Sequence, residues 1–583
     1  MFKLNEKKRS DDMIIRKEKN RSTGLRASAT CCIVSVFIIA AAPPPVSGSH
    51  IVSADHVLAS KAGAKIFQQG GNSVDAAVAA ALAAGVVQPS GSGLGGGGFA
   101  VFVQQSDSGD KEKGVLDFRE VAPSNATETM FQDGQGRVIA GRSRLGGHAV
   151  AVPSEGIGLA HLTTQYGNLS LLQVAKPAIK LAEEGFMVGA HLATSIQKST
   201  AQEVLAFFRR DGAPVSRYQK FTNKRLGRTL RRWARTNGAS LQTGVDAERI
   251  VETVVRHGGV VSMDDLKNYA PKSREPIVSS YKGYTLVTMP PPSSGGIVLS
   301  QVLSVLETTD VASLSHNSSE YVHLLTESMK HAYADRAHHL GDPDFVPVPT
   351  ERLLSKDRVR EIRSKFDKEQ TFDTEYYGQN ISPPRDAGTQ HISAQDSDGG
   401  IALTTTINTS FGSGVVVPEL GIILNNQMDD FSAAPGVQNA YGLVGSEANA
   451  ITPGKKPLSS MTPTVVLDDQ GDVYMVIGAS GGSTIISSTI QVFLNIVEFG
   501  MNPQEAVAAP RLHHQWIPES LVLEPEFTTD VTQNLAKKGH TLKVRRAYSS
   551  VQVTVKTPAG LVAGADPRKG GIPASSQSVR NGR

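Results

Sequence analysis

The chain has almost no cysteine: two among 583 residues, adjacent at Cys31 and Cys32. Both fall in an apolar stretch near the start that reads as an export signal. The mature protein is therefore expected to hold no disulfide, no thiol nucleophile and no structural Cys-ligated zinc site. Charge of one sign is equally scarce. Residues 1–28 carry nine Lys/Arg against four Asp/Glu, which leaves 50 against 51 in the remainder and no basic footprint for nucleic acid. Long hydrophobic runs are missing too. Apolar residues make up 39% of the chain and are spread along it, which excludes a multispanning membrane protein; together with 20% charged residues they also exclude a disordered one. Stability must come from a core, and a chain of this length can build a large one. Glycine is the one enriched type, with 56 residues.

The basic opening Met1–Ser28 runs into Ala29–Ala42, a stretch of signal-sequence length and short for a bilayer span. Pro43, Pro44 and Pro45 forbid a cut directly after Ala42, so cleavage is expected after Val46-Ser47-Gly48, with an uncleaved anchor as the alternative. Either way the body is exported, to the periplasm or the cell exterior.

Two Ala-rich helices are expected over 56–69 and 74–84, with Gly70-Gly71 ending the first and Asn72 capping the second. A glycine cluster, Gly91 to Gly98, leads into strands at 99–103 and 115–118, the latter carrying Arg119 at its end. Residues 153–364 read as mostly helical, with a strand near 281–289. Arg225, Arg228, Arg231, Arg232 and Arg235 form one helical stripe, read as a solvated face. His331, His338 and His339 share a helical face without a carboxylate at ligand spacing, so no metal site is assigned there. Residues 364–388 read as an exposed linker. Beyond it, Asp396 to Gly400 marks a hairpin between 391–395 and 401–408, and Asp468 to Gly471 a second between 464–467 and 473–477, followed by a helix over 483–499. Hairpin-built sheets flanked by helices point to an antiparallel α+β sandwich.

Three segments could carry chemistry. Gly91, Gly93 and Gly96 have dinucleotide-fingerprint spacing, but a helix precedes them and a strand follows, the reverse of the order that binding requires. Gly478-Ala479-Ser480-Gly481-Gly482 has nucleophile-elbow spacing, with Asp530 and His540 in triad order, yet the strand entering Ser480 belongs to an antiparallel hairpin. Backbone N–H groups of Gly481 and Gly482 holding an oxyanion are the favoured reading, and a nucleophilic Ser480 the rival. Third, a hairpin centred near Asp398 brings Thr389 opposite the stretch 406–408. A threonine there is ordinarily only a strand residue. If the Gly388–Thr389 bond is cut, the freed α-amino group could act as base for its own Oγ.

The stretches Gly93 to Phe99, Asp117-Phe118-Arg119-Glu120, Pro290 to Gly296, Thr389 with His391, Asn425 to Phe431, Pro457 to Met461 and Gly481-Gly482 occur in an order that resembles the gamma-glutamyltranspeptidase family of N-terminal-nucleophile hydrolases, from about Ser53 to Arg568. The resemblance implies an αββα sandwich of two stacked antiparallel sheets. It also implies a precursor that cleaves itself at Gly388–Thr389, giving a signal or anchor over 1–48, a large subunit over 49–388 and a small one over 389–583. It implies Thr389 as nucleophile, Thr406 as the threonine that hydrogen-bonds it, and Gly481 and Gly482 as the oxyanion hole. Arg119, aided by Ser459 and Ser460, would hold the substrate α-carboxylate; Asp430, with Asn408 and Gln427, its α-amino group; and residues 435–445, with Tyr441, would form a lid. Substrates would be glutathione and other γ-glutamyl compounds, with water, amino acids or dipeptides as acceptors. Neither the motifs nor the resemblance supports a metal, flavin or nucleotide cofactor. A glutaryl-cephalosporin acylase and a poly-γ-glutamate depolymerase share the fold and stay open. Gly388 and Gln390 depart from the family's commonest neighbours of the nucleophile.

Overall fold

The computed structural model describes residues 45–106, 109–378, 388–432, 446–546 and 549–576. Residues 1–44 of the expected signal or anchor segment, and Tyr441 with its loop, lie outside them.

Two sheets of seven strands dominate. In chain order their strands are β1 (Val46–Gly48), β2 (Ile51–Ala54), β3 (Gly97–Gln105), β4 (Lys111–Phe118), β5 (Lys272–Ser273), β6 (Ile277–Tyr281), β7 (Tyr284–Thr288), β8 (Thr389–Gln395), β9 (Gly399–Thr406), β10 (Thr464–Leu467), β11 (Val473–Ser480), β12 (Ser550–Thr557), β13 (Gly560–Ala565) and β14 (Ala574–Ser575). One sheet has the order β1-β13-β12-β11-β10-β7-β6 and the other β14-β2-β8-β9-β3-β4-β5. Every neighbouring pair is antiparallel. Strands β8 and β9 lie over β11, and β8 also over β12. The helices that bear on the site are α1 (Val57–Phe67), α2 (Ser73–Val87), α3 (Glu155–Tyr166), α4 (Lys224–Arg235), α5 (Gly295–Leu306), α6 (Ser319–His339) and α7 (Thr484–Val497). Helix α2 covers β8 and β9 from outside, while α7 covers β11 and β12, completing the αββα order.

The two-residue period of a strand decides what each layer sees. In β3, Ala100 and Phe102 join the core under α1 and α2, while Phe99, Val101 and Val103 face the opposite sheet. In β8, Ile392 and Ala394 face the helices. Its odd-numbered residues face the other sheet and are polar: Ser393 donates to Gln552 O at 3.0 Å, and Gln395 donates to Val473 O at 2.9 Å. Thr389 belongs to that odd set and closes its row. Helix α2 is buried at all fifteen residues, which its alanines allow, and Asn72 and Asp75 form a reciprocal capping box at its start.

The exposed-linker expectation is corrected, and the structure adds detail to the others. The segment 281–289 is the second half of a hairpin, β6–β7, whose turn at Lys282 and Gly283 has positive φ at both residues; lysine at the first of these hides the usual Asn-Gly signal. Residues 364–378 are not an exposed linker. Phe372 and Tyr376 stack at 4.1 Å, and buried Tyr377 donates to Glu327 at 2.6 Å; residues 379–387 lie outside the described set. The hairpin register pairs Gln395 with Gly400 and Thr389 with Thr406, one residue tighter than a centre at Asp398 would give. The proposed signal-cut position lies in β1, where Val46–Gly48 pair with residues of β13. The arginine stripe sits on α4 as a half-solvated face, with Arg231 and Arg232 paired to Glu183 and Asp246.

Candidate active site

Thr389 opens β8 directly opposite Thr406, which ends β9. Thr406 Oγ1 accepts from the Asn408 N–H at 2.8 Å, so its own hydroxyl proton is left for another acceptor. Gly388, just before Thr389, has φ +106°, a region that favours glycine, and a Cβ there would collide with Asn408 O. A residue with a side chain would be strained at this position. Gln390 donates to Gln88 Oε1 at 2.8 Å, linking β8 to the end of α2.

From Thr406 a chain of hydrogen bonds leads to Arg119. Asn408, held at φ +72°, donates its side-chain amide to Asn426 O at 3.1 Å. The neighbouring Gln427 donates to Asp430 Oδ2 at 3.1 Å, and the Arg119 guanidinium meets the same oxygen at 2.5 Å. All four side chains are buried. Asn425 fixes this turn to the glycine loop by donating to Gly95 O at 2.8 Å and to Ala151 O at 3.0 Å, while Asn449 donates to Asp430 O at 2.7 Å. Arg119 also donates to Pro457 O and Leu458 O at 3.3 and 3.4 Å. Arg119 Nη1, Asn408 Oδ1 and Gln427 Oε1 have no partner among the described residues. Buried polar atoms left open this way, beside an ion pair, suit a ligand bearing both a cation and an anion.

Ser459 and Ser460 belong to a second bonded group. Ser459 Oγ accepts from Met461 N–H at 3.1 Å, and Ser460 Oγ from Arg336 at 3.0 Å; Arg336 also donates to Ser294 Oγ at 2.7 Å. The motif Pro290 to Gly296 thus packs along 457–461, where Ser459 N–H bonds Pro292 O. Arg336, in the last turn of α6, carried no signal in the sequence as one buried position on an all-buried helix stretch.

Gly481 and Gly482 follow the end of β11, with φ +134° and +68°. The elbow reading of this motif fails. A Cβ on Gly478 would collide with the His391 ring, so that glycine makes room between the sheets rather than for a sharp strand-to-helix turn. Ser480 donates to Asp55 at 2.6 Å and accepts from Lys569 at 2.6 Å. Asp530 is exposed on a short helix, and His540 bonds His323 at 2.7 Å; neither touches Ser480. His540, His323 and Glu327 do converge, a cluster that sequence spacing missed because His540 is distant in the chain. Glu327 is already bonded to Thr371 and Tyr377, and the Lys330 ammonium lies 3.8 Å away.

Burial sets the ionisation of the groups around the site. Desolvation pushes Glu155 up to about 8, against hydrogen bonds from Gly93 N–H and Ser92. It pushes Glu120 up to about 7, opposed by the Arg119 charge. The His391 imidazole falls to about 3 for the same reason, so it is neutral between its partners Thr404 and Ser393.

A family model described as gamma-glutamyltranspeptidase matches residues 59–576. A glutathione hydrolase proenzyme of Escherichia coli (strain K12) is 39% identical over 528 residues, covering 89% of this chain and 90% of that one. Glutathione hydrolase 2 of Arabidopsis thaliana is 38% identical, covering 90% and 93%. Among solved structures, a cephalosporin acylase from Bacillus halodurans superposes with TM-score 0.80 at 27% identity, covering 94% of this chain and 100% of its own.

Proposed function

The chain belongs to the gamma-glutamyltranspeptidase family and has its γ-glutamyl hydrolase and transferase activity; from that premise we propose how its own residues perform the reaction. Thr389 is the nucleophile, released as a new N-terminus when the Gly388–Thr389 bond is cut within the proenzyme. Arg119 and Asp430 grip the α-carboxylate and α-ammonium of the γ-glutamyl group, assisted by Asn408 and Gln427 on one side and Ser459 and Ser460 on the other. The Thr389 α-amino group takes the hydroxyl proton as Oγ attacks the γ-carbonyl, and the N–H groups of Gly481 and Gly482 hold the oxyanion. The intermediate collapses, the leaving amine takes the proton, and a γ-glutamyl ester on Thr389 remains. Water or an acceptor amine then takes the glutamyl group. The observation that carries this reading is the hydrogen-bonded path from Thr406, opposite Thr389, to the buried Arg119–Asp430 pair.

The substrate class is glutathione and related γ-glutamyl compounds, and the two pieces, 49–388 and 389–583, act as one heterodimer. The basic opening followed by Ala29–Ala42 supports export to the periplasm or cell exterior. Among the described residues, no helix is long and apolar enough to cross a membrane. The test is Thr389→Ala: one uncut chain by intact mass, without activity on a γ-glutamyl anilide. A Thr389→Ala protein that still matures and turns over would reject the nucleophile.

A further inference from the structure

The turn carrying Lys569 stands outside every motif discussed so far, yet its ammonium reaches the reaction centre. Lys569 Nζ donates to Thr389 O at 2.9 Å and to Ser480 Oγ at 2.6 Å, and lies 3.4 Å from Asp55 Oδ2. Its three protons are therefore spent on the main chain of the proposed nucleophile, on the residue before Gly481-Gly482, and on the carboxylate that follows β2. The lysine side chain is only 10% exposed and Asp55 is fully buried. Asp55 is itself fixed, accepting from Ser550 at 3.0 Å and Gln552 at 2.6 Å.

The support of Lys569 is rigid. Asp566, at the base of its turn, pairs with Arg511 at 2.7 Å and Arg568 at 3.1 Å, and accepts from Val551 N–H on β12. Gln88 donates to Lys569 O at 3.3 Å and accepts from Gln390, the residue after Thr389. The ammonium is thus braced from both sheets.

We infer that Lys569 is a positioning residue for this reaction, clamping the Thr389 main chain to the strand end that carries the two oxyanion-hole glycines, with Asp55 as its anchor. The inference rests on the proposed role of Thr389. A nucleophile and an oxyanion hole supplied by different sheets must be held to a fraction of an ångström, since small displacements cost large factors in rate. A hydrogen-bonded cation bridging the two does this without touching substrate.

The same charge acts on the base. The main-chain N and O of one residue are about 3 to 3.6 Å apart, so the ammonium lies no more than roughly 6.5 Å from the Thr389 nitrogen. A cation at that range disfavours protonation of the freed α-amino group and keeps it available as base. The other groups facing this region leave that charge in control. His56 and His191 are held near 4 by burial, with Lys569 contributing to His191, and His391 near 3; all three are neutral at working pH. Asp55 carries the opposing charge and is neutralised by Lys569 itself.

The test compares Lys569→Met, Lys569→Arg and Thr389→Ala in the full-length protein. For matured Lys569→Met, kcat on a γ-glutamyl anilide should fall roughly 10- to 100-fold while KM holds, because the Arg119–Asp430 grip is untouched. The acidic limb of its pH–rate profile should move up by about one pH unit, since the amine loses its cation and gains an unpaired Asp55. Lys569→Arg should recover part of the rate and the original limb. If Lys569→Met does not mature, kcat is read from Lys569→Arg and Ser480→Ala, which perturb the bridge while keeping a cation: both should lose rate with the limb in place, and undiminished kcat in both would overturn the inference. Unchanged kcat and pH limb in Lys569→Met, with Thr389→Ala inactive, would overturn this inference alone; an active Thr389→Ala would overturn the nucleophile as well.

Discussion

Asp430 gathers three roles in one carboxylate. It neutralises the buried Arg119, accepts from Gln427 and, in the role proposed for it, supplies the negative charge for an α-ammonium. A glutaryl compound lacks that ammonium and would leave the carboxylate short of a partner in a desolvated site. Asp430→Asn should therefore lower kcat/KM for a γ-glutamyl anilide steeply while activity on the glutaryl analogue holds or rises. An unchanged ratio between the two substrates would remove Asp430 from the ammonium site. The substitution also strands Arg119, and breaking a buried ion pair costs about 3 to 5 kcal/mol, so melting must be measured alongside.

Glu155, at the start of α3, shows how burial links pH to stability. Its pKa is raised from 4.5 to about 8 in the folded protein, chiefly by desolvation. Below 4.5 both folded and unfolded carboxyls are protonated and nothing is lost. As pH rises from there toward 8 the unfolded group ionises while the folded one keeps its proton, so the native state loses stability, and the loss levels off above 8. Glu155→Gln keeps an acceptor for Ser92 and Gly93 N–H without the proton linkage. Its melting temperature should fall less than the natural protein's between pH 5 and pH 8. Parallel curves for the two proteins would mean that Glu155 ionises normally.

At the level of elements, the contact between β8 and β11 determines how closely the sheets approach at the site. Gly478 on β11 lies against the His391 ring, whose nitrogens are taken by Thr404 at 2.7 Å and Ser393 at 3.1 Å. The ring cannot yield without breaking one of those bonds, and overpacking a core typically costs about 1 to 3 kcal/mol. Gly478→Ala should lower the unfolding free energy by that amount and reduce kcat more than it raises KM, because Ser480 ends the same strand and the two glycines follow it. A stable, fully active Gly478→Ala protein would show that the sheets can part locally.

Across the whole molecule, the proposed cut at Gly388–Thr389 passes through both sheets. In one, β8 and β9 sit between β2 and β3; in the other, β10 to β13 continue the sheet begun by β6 and β7. Each resulting piece therefore supplies strands to both sheets, and neither has a complete sheet alone. The cleaved protein should elute as one species in size-exclusion chromatography and separate into two chains only under denaturant. Dissociation in native buffer would contradict this interleaving.

Local rules made much of this legible. The Asn72 cap, the Asp396–Gly400 turn that sets Thr389 against Thr406, and the reversed order around the glycine loop all depend on neighbours a few residues apart. The motifs holding Arg119, Asp430 and the two glycines carried the resemblance, so the chemistry was readable as a set of residues. Their spatial relation was not. Arg119 meets Asp430 from 311 positions away, and Lys569 reaches the Asp55 carboxylate from 514. Arg336 reaches Ser460 from 124. Such contacts are made by the stacking of two sheets whose strands alternate between distant parts of the chain. A buried charge leaves no periodic trace in sequence, because its partner is chosen by that packing and by the cost of leaving it unpaired.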